Sequence, residues 1–233
     1  MRKIALFQSN YIPWKGYFDI IHDVDVFVFY DDVQYTKKDW RNRNIIKSKN
    51  GCSWLTVPVI NEKLREKKIH EVKIDNTSAW AQKHFKTITM SYARAPFLKD
   101  HMDLLGWIYL EKTWSNLSEM NRSIIEKISR RLGIETEFVN LQDLHIAGEK
   151  NGERIIKVCE KLNCDYVING PAAKAFIDQS LFDERGIIIE YKNYKYPVYR
   201  QLNLPFEHGV SIFDLLFNAG PEAPYYIWGW RDD

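Results

Sequence analysis

The spacing of apolar residues over the first thirty positions predicts a strand, a helix and a second strand. Residues 4–7 form a short apolar run, which predicts a strand over 4–8, and residues 16–24 place apolar side chains at helical spacing. Residues 25–30 are rich in β-branched and aromatic side chains, which favour strands. This order predicts a β-α-β unit with a tight first connection and parallel strands.

The next segment has the pattern of antiparallel strands. Residues 43–60 contain Asn50-Gly51, a strong hairpin signal, between two strand-like runs. Residues 70–75 predict a further short strand.

Helical spacing then dominates residues 77–133. The pattern predicts three helices, at 77–94, 95–114 and 117–132, the last of which ends before Gly133. Strand patterns return at 136–141, 165–169 and 187–194, with a helix at 149–162 and another entered from 170–178. The sequence therefore predicts an α/β fold with a Rossmann-like mixed sheet and a helical block at about 77–133. One domain over residues 1–233 is expected, because no linker or repeat interrupts the pattern.

The amino-acid composition limits the classes of function that are compatible with this chain. Aromatic residues make up 14% of the chain, including eight tryptophans and thirteen tyrosines, which suggests planar surfaces for sugars or bases as well as core. The net charge of +2 argues against strong whole-molecule attraction to nucleic acids or anionic membranes. No apolar run is long enough for a signal peptide or a membrane span, so we expect a cytoplasmic protein without membrane insertion.

The three cysteines and six histidines do not have metal-ligand spacing. Cys52, Cys159 and Cys164 are odd in number and form no C-x-x-C pair, which predicts free thiols. We therefore predict no metal site from His or Cys.

Aromatic and polar side chains follow the first predicted strand, where ligands bind in open α/β sheets. Gln8, Tyr11, Trp14, Gly16 and Tyr17 occupy this connection and are predicted to line a pocket. Trp14 and Tyr11 are predicted to stack on a base or a sugar ring. The alternative is that these aromatics belong to the core.

Residues 31–47 carry the densest set of polar groups in the chain. Asp31 and Asp32 follow the second predicted strand, and successive residues of a strand point to opposite sides, so one carboxylate is expected to enter the crevice. Arg41 and Arg43 alternate, which on a strand places both on one face, with Lys47 further along. The alternative is a solvated loop with charges facing water.

Two weaker signals lie towards the C-terminus. Gly170 precedes a Pro and a predicted helix start, which predicts an anion site with Lys174, although a plain strand-to-helix turn is the alternative. His208 lies in a loop next to Gly209 and is a candidate general base, or a simple surface histidine. Ser211 is expected to start a last helix.

Three stretches together resemble the WbqC-like family of bacterial proteins, which is found among genes for O-antigen and related surface polysaccharides. They are residues 8–21, residues 31–47 with the following WLTVPV, and residues 211–222. The positions that match the family pattern are Gln8, Tyr11, Pro13, Trp14, Gly16, Tyr17, Phe18, Asp31, Asp32, Gln34, Arg43, Asn44, Lys47, Gly170, Asp214, Leu215, Phe217 and Asn218. The resemblance implies transfer of glycine onto an amino sugar.

We therefore predict a transferase that moves glycine, or another small acyl group, to the amine of a nucleotide-linked amino sugar. Asp32, with Asp31 nearby, is the predicted base, and Asn44 or Gln34 is predicted to donate to the oxyanion. The residues predicted to hold the diphosphate are Arg41, Arg43 and Lys47. ATP is required if glycine is activated in place, whereas an aminoacyl-tRNA or a carrier thioester would bring it already activated.

Two alternatives stay open. One is nucleotidyl or glycosyl transfer with a divalent metal held by the Asp31-Asp32 pair. The other is a sugar-nucleotide-binding or accessory protein that has no turnover.

Overall fold

A computed structural model describes residues 1–146 and 151–232 of the chain. Its strands are β1 (Lys3–Phe7), β2 (Val26–Phe29), β3 (Arg43–Ser48), β4 (Gly51–Thr56), β5 (Glu137–Asn140), β6 (Tyr166–Asn169) and β7 (Ile188–Tyr191). Its helices are α1 (Lys15–His22), α2 (Trp80–Ser91), α3 (Met102–Gly106), α4 (Leu117–Arg131), α5 (Asn151–Leu162), α6 (Gln179–Asp183) and α7 (Ile212–Ala219).

Five parallel strands form the main sheet, in the order β5-β2-β1-β6-β7. Numbered along the chain, these strands run 3-2-1-4-5 across the sheet, the order of the first five strands in doubly wound nucleotide-binding folds. The direction of winding reverses between β1 and β6. A crevice is expected beyond the carboxyl ends of these two strands.

The strand alternation divides the core into two layers, one on each face of the sheet. Phe27 and Phe29 of β2 join the larger layer, which also contains residues of α1, α4 and α7. Val26 and Val28 join the smaller layer, together with residues of α5. The sheet is therefore covered by helices on both faces, as parallel sheets are.

The predicted α/β class and the β1-α1-β2 unit are confirmed, whereas the prediction of a mixed sheet is wrong. The β3–β4 hairpin is antiparallel, as predicted, but it forms a separate two-stranded sheet. Its turn uses Gly51 at φ +98°, a conformation that other residues rarely adopt. The main sheet is parallel throughout, because all its strands are joined by crossover connections.

Several other boundaries differ from the sequence pattern. The predicted strand at 70–75 is a 3₁₀ turn, Ile69–Glu71, in which the Glu71 carboxylate accepts from the Lys68 N–H at 2.7 Å. The predicted helix at 95–114 is divided into a 3₁₀ turn, α3 and a π-helical turn, Trp107–Glu111. The predicted start of the 149–162 helix lies outside the described residues, and α5 is described from Asn151. The 170–178 segment begins with the 3₁₀ turn Pro171–Ala175, with Pro171 at its first position, and no α-helix starts there.

The chain after β7 is tied to α1 by ion pairs and a hydrogen bond. Asp19 of α1 accepts from the Tyr196 hydroxyl at 2.8 Å and from the Arg231 guanidinium at 2.6 Å. Asp23 accepts from Arg231 at 2.7 Å and pairs with Lys192. These contacts place Tyr196 and the C-terminal turn against the helix that follows the β1 loop.

Candidate functional site

A cavity of about 260 Å³ lies at the connection between β1 and α1. Its lining residues are Asn10, Pro13, Trp14, Trp40, Asn44 and Gly209. These residues come from the β1 loop, from β3 and the segment before it, and from the loop before α7, so three distant parts of the chain form one cavity. The β1 loop follows the carboxyl end of β1, a strand next to which the winding of the sheet reverses.

Trp14 forms one wall of the cavity and is held on several sides. Its ring meets Tyr194 and Tyr196 edge-on, at centroid distances of 5.2 Å and 5.7 Å. It also lies directly over Gly16, where an added Cβ would be only 2.4 Å from ring atom Cζ2. Gly16 is therefore required for this position of the ring, since any larger residue would displace Trp14.

The loop between β1 and α1 is fixed by hydrogen bonds to its backbone. The Nδ2 group of Asn44 donates to the carbonyls of Tyr11 and Ile12, both at 2.9 Å. The N–H of Tyr11 donates to the Trp40 carbonyl at 3.0 Å, and the N–H of Ile212 donates to the Pro13 carbonyl at 2.8 Å. Both amide hydrogens of Asn44 are thus used within the protein, so this side chain supports the loop.

Arg41 joins two side chains of the β1 loop. Its guanidinium donates to the side-chain oxygens of Gln8 and Asn10 and pairs with Asp39 at 3.4 Å. Its Nε is buried and has no hydrogen-bond partner in the described part of the chain. Because Asn10 lines the cavity, Arg41 adds a positive charge next to it.

The sequence pattern missed three lining residues, namely Asn10, Trp40 and Gly209. Asn10 lies in the opening stretch, but no sequence rule identifies its side chain as part of a site. In the structure, its Nδ2 hydrogens have no hydrogen-bond partner among residues 1–146 and 151–232. Trp40 precedes Arg41 in the polar segment, and only the fold brings it into the same cavity lining as Trp14.

Asp31 and Asp32 point to opposite sides of the chain, as the strand alternation predicts. Asp31 is fully buried, and its carboxylate accepts from the Ser9 N–H at 2.8 Å and from the Ser118 hydroxyl. Its backbone carbonyl accepts from His70. The Asp31 carboxylate therefore connects the β1 loop to α4.

Asp32 forms ion pairs on the other side. Its carboxylate lies 2.5 Å from the Lys68 ammonium and also pairs with Arg154 of α5. Burial would raise the pKa of Asp32, but the hydrogen bonds from Lys68 and Arg154 outweigh it, so the pKa is lowered. A carboxylate held in this way is a weak base, and it is not among the residues that line the cavity.

Two predicted aromatic residues lie beneath the cavity loop. Tyr11 is fully buried, and its hydroxyl bonds to the Tyr109 hydroxyl at 2.6 Å and to His84 Nδ1 at 2.9 Å. Tyr17 is also buried, and its hydroxyl donates to the Gln8 carbonyl at 3.0 Å. The structure therefore places both rings in the core under the loop.

The three cations predicted to hold a diphosphate lie in three different settings. Arg41 lies in the turn before β3, so it shares no strand with Arg43. Arg43 stacks over Trp54, with its guanidinium carbon 4.2 Å from the ring centroid. Lys47 is buried, and its ammonium donates to Gln201 Oε1 at 3.0 Å. Of the three, only Arg41 bonds to a residue that lines the cavity.

Three other candidates lie away from the cavity lining. Gln34 is exposed and donates to the Arg65 carbonyl at 2.5 Å. At Gly170, an added Cβ would be 3.0 Å from the Tyr194 hydroxyl, so the glycine allows that tyrosine to approach. Lys174 is exposed, with its ammonium 5.0 Å from the centroid of the Tyr191 ring.

His208 lies in the loop that carries Gly209 into the cavity. Its ring meets Phe206 edge-on at 4.6 Å. Burial, together with the positive charge of Lys15, lowers the pKa of His208 below its usual 6.5. At neutral pH the imidazole is therefore mostly neutral and able to accept a proton.

Gln201 holds this loop in place. Its side-chain amide accepts from the Glu207 N–H at 2.9 Å and donates to the Glu207 carbonyl at 2.8 Å. It also donates to Asp214 of α7 at 2.9 Å. The position of His208 thus depends on a buried polar network beneath the loop.

Lys15 is a buried cation beside the cavity wall. Its side chain lies near the rings of Tyr196 and Tyr199, each 5.1 Å away, and donates to the Pro197 carbonyl at 3.2 Å. Burial lowers the pKa of Lys15 to about 8, although Asp214 partly opposes the shift. No ion pair within 4.0 Å compensates this charge among the described residues.

We expect Lys15→Met to stabilise the protein at neutral pH. Unfolded Lys15 binds its proton below its usual pKa of 10.5, whereas the folded protein binds it only below about 8, so charging the amine favours unfolding. The free energy of unfolding should rise by about 1–2 kcal/mol at pH 7. This is less than the full pKa shift implies, because the amine keeps some hydration. Urea unfolding of both proteins should show this gain at pH 7 and a smaller one as the pH rises from 8 to 10.5. Equal stability at pH 7 would contradict the expectation.

Within residues 1–146 and 151–232, no three His, Cys, Asp or Glu side chains lie close enough together to hold a metal ion. In the same residues, no helix combines the length and the apolar character needed to cross a bilayer.

Comparison with known proteins gives one family and one long relative. The model of the WbqC-like protein family matches residues 8–226. The uncharacterized protein Rv1507c of Mycobacterium tuberculosis (strain ATCC 25618 / H37Rv) is 44% identical over 228 residues, which cover 97% of this chain and 98% of that protein. No solved structure matches the chain significantly.

Proposed function

Because this chain belongs to the WbqC-like protein family, we propose that it is a cytoplasmic transferase that places glycine, or another small acyl group, on the amine of a nucleotide-linked amino sugar. The product would serve the synthesis of O-antigen or a related surface polysaccharide, as the family resemblance implies. The observation that carries the proposal is the cavity between Trp14 and Trp40.

The lining of this cavity suits a sugar ring. Tryptophan faces pack against the C–H surfaces of sugars, and amide groups bond to their hydroxyls. At about 260 Å³ the cavity is smaller than the usual 300–1,000 Å³ of sites for drug-sized ligands, so one ring would fill it. The nucleotide would extend beyond the cavity, and this proposal assigns its diphosphate to Arg41, which bonds to the lining residue Asn10.

The reaction forms an amide from an amine and an activated carbonyl. The sugar nitrogen attacks the carbonyl carbon, the new N–C bond forms, the bond to the leaving group breaks, and the nitrogen loses a proton. If glycine is activated in place, ATP supplies the leaving group as an adenylate or a phosphate. A glycyl-tRNA or a carrier thioester would bring its own leaving group. In either case, the free amide donor for the developing oxyanion is Asn10 Nδ2.

The proton acceptor is His208 rather than Asp32 in this proposal. His208 is mostly neutral at pH 7 and adjoins Gly209, which lines the cavity. Asp32 is paired with Lys68 and Arg154, and its pKa is lowered. A base must have a free lone pair near the attacking amine, a condition that favours the histidine.

The test is a direct search for product. The purified protein is incubated with nucleotide-linked amino sugars, glycine and ATP, and in parallel with glycyl-tRNA, and the products are weighed by mass spectrometry. We expect a mass gain of one glycyl group on one sugar nucleotide. Trp14→Ala should lose binding of that sugar nucleotide, whereas Trp107→Ala, in the helical block, should keep it. Tight binding without any product would instead show an accessory protein, and neither binding nor product would overturn the proposal.

A further inference from the structure

A second cavity lies at the far end of the β3–β4 hairpin. Its volume is about 460 Å³, and its walls come from the hairpin turn, from the C-terminal end of α2 and from residues 202–203. Ser48 of this groove and Asn44 of the first cavity are four residues apart on β3, about 13 Å along the strand. The groove is therefore separate from the site proposed for the sugar.

Two positive charges lie in this groove without a counter-charge. Lys49 and Arg94 line it, and neither has an ion pair or a side-chain hydrogen bond within residues 1–146 and 151–232. No acidic residue lines the groove, although the chain has 31 of them. The C-terminal end of α2 contributes about half a negative charge. The two full positive charges exceed it, so the net charge of the groove is positive. The groove is therefore an attractive place for an anion.

Uncharged donors and an apolar surface complete the lining. The side chains of Ser53, Ser91 and Asn203 have no hydrogen-bond partner in the part of the chain that the structure describes. Met90 is 68% exposed and, with Leu202, offers apolar surface beside them. The groove thus combines cations, hydroxyls, an amide and an apolar strip, and its volume lies within the range of small-molecule sites.

We propose that this groove binds a small phosphate-bearing molecule. The phosphate lies between Lys49 and Arg94, where the guanidinium fork and the ammonium both reach its oxygens. Hydroxyl groups of the ligand bond to Ser53, Ser91 and Asn203, and its apolar part rests on Met90 and Leu202. The inference does not depend on the proposed acyl transfer.

The test uses inorganic pyrophosphate as the probe and calorimetric titration at low salt as the measurement. We expect the wild-type protein to bind it at millimolar or lower concentration and the Lys49→Gln/Arg94→Gln variant to bind at least tenfold more weakly. The Lys99→Gln/Arg185→Gln variant is the matched control: it removes the same charge from exposed positions outside the groove and should bind as the wild type does. Added salt should weaken the binding, because exposed charges are screened.

Two results would overturn the proposal. One is no binding of pyrophosphate by the wild-type protein, and the other is equal binding by the groove variant. All four positions are exposed, so circular dichroism should show an unchanged fold in both variants. Trp14→Ala should bind pyrophosphate normally even if it loses the sugar nucleotide, so failure of one proposal is distinguishable from failure of the other.

Discussion

Replacing His208 with Gln is expected to lower the rate of acyl transfer about 100-fold or more, which is the usual contribution of a positioned base. Glutamine keeps a polar side chain of similar reach but cannot take up a proton. The imidazole is exposed, so the free energy of unfolding should change little. Steady-state rates, with unfolding by urea as the control for folding, measure both effects.

The pH dependence of kcat/KM is a second measurement of the role of His208. A histidine base is active only when its imidazole is deprotonated, so kcat/KM should fall as the pH drops through the pKa of His208, below the usual 6.5. His208→Gln should lose this acid limb of the profile. Asp32→Asn is the matched comparison and should keep both the limb and most of the rate. An inactive Asp32→Asn beside an active His208→Gln would assign the base to Asp32 instead.

The second large effect is expected at Asp31, in stability. Asp31→Ala leaves the Ser9 N–H and the Ser118 hydroxyl without a partner in a fully buried place. Each unsatisfied buried donor costs about 1–3 kcal/mol, so the free energy of unfolding should fall by about 2–6 kcal/mol. This is a large share of the 5–15 kcal/mol that ordinary domains have. Urea unfolding of the variant and the wild type measures it directly.

Asp31→Asn is the control for this prediction. Its amide oxygen still accepts from the Ser9 N–H, and its Nδ2 can donate to the Ser118 hydroxyl, so the loss should be about 1 kcal/mol or less. A stable Asp31→Ala would contradict the structural role. A folded but inactive Asp31→Asn would show that the carboxylate takes part in the chemistry.

Much of the local structure could be predicted because its causes are local. The alternation of Val26 and Val28 with Phe27 and Phe29 predicts a strand buried on both sides, and the two pairs do pack into different core layers. The sequence predicts that Ser211 starts the last helix, and its hydroxyl accepts from the Phe213 N–H. Gly133, with φ +79°, follows the end of α4 at the predicted place.

The same local rules failed where long-range contacts decide the conformation. The 70–75 segment has strand-like residues, but its partners are single bridges to Val59 and Asn116, so no extended strand forms. Arg41 and Arg43 alternate in sequence, yet a turn before β3 separates their settings. Spacing predicts a shared face only when both residues belong to the same strand.

The sequence by itself determined the family, the α/β class, the hairpin and the fact that Asp31 and Asp32 face opposite sides, because these follow from side-chain patterns over a few residues. Only the tertiary structure decided which residues form the cavity. Strand β1 pairs with β6, some 160 residues later in the chain, and Trp14, Trp40 and Gly209 line one cavity through the packing of three separate segments. Such contacts depend on which distant surfaces pack against each other, and the periodicity of the sequence does not contain that information.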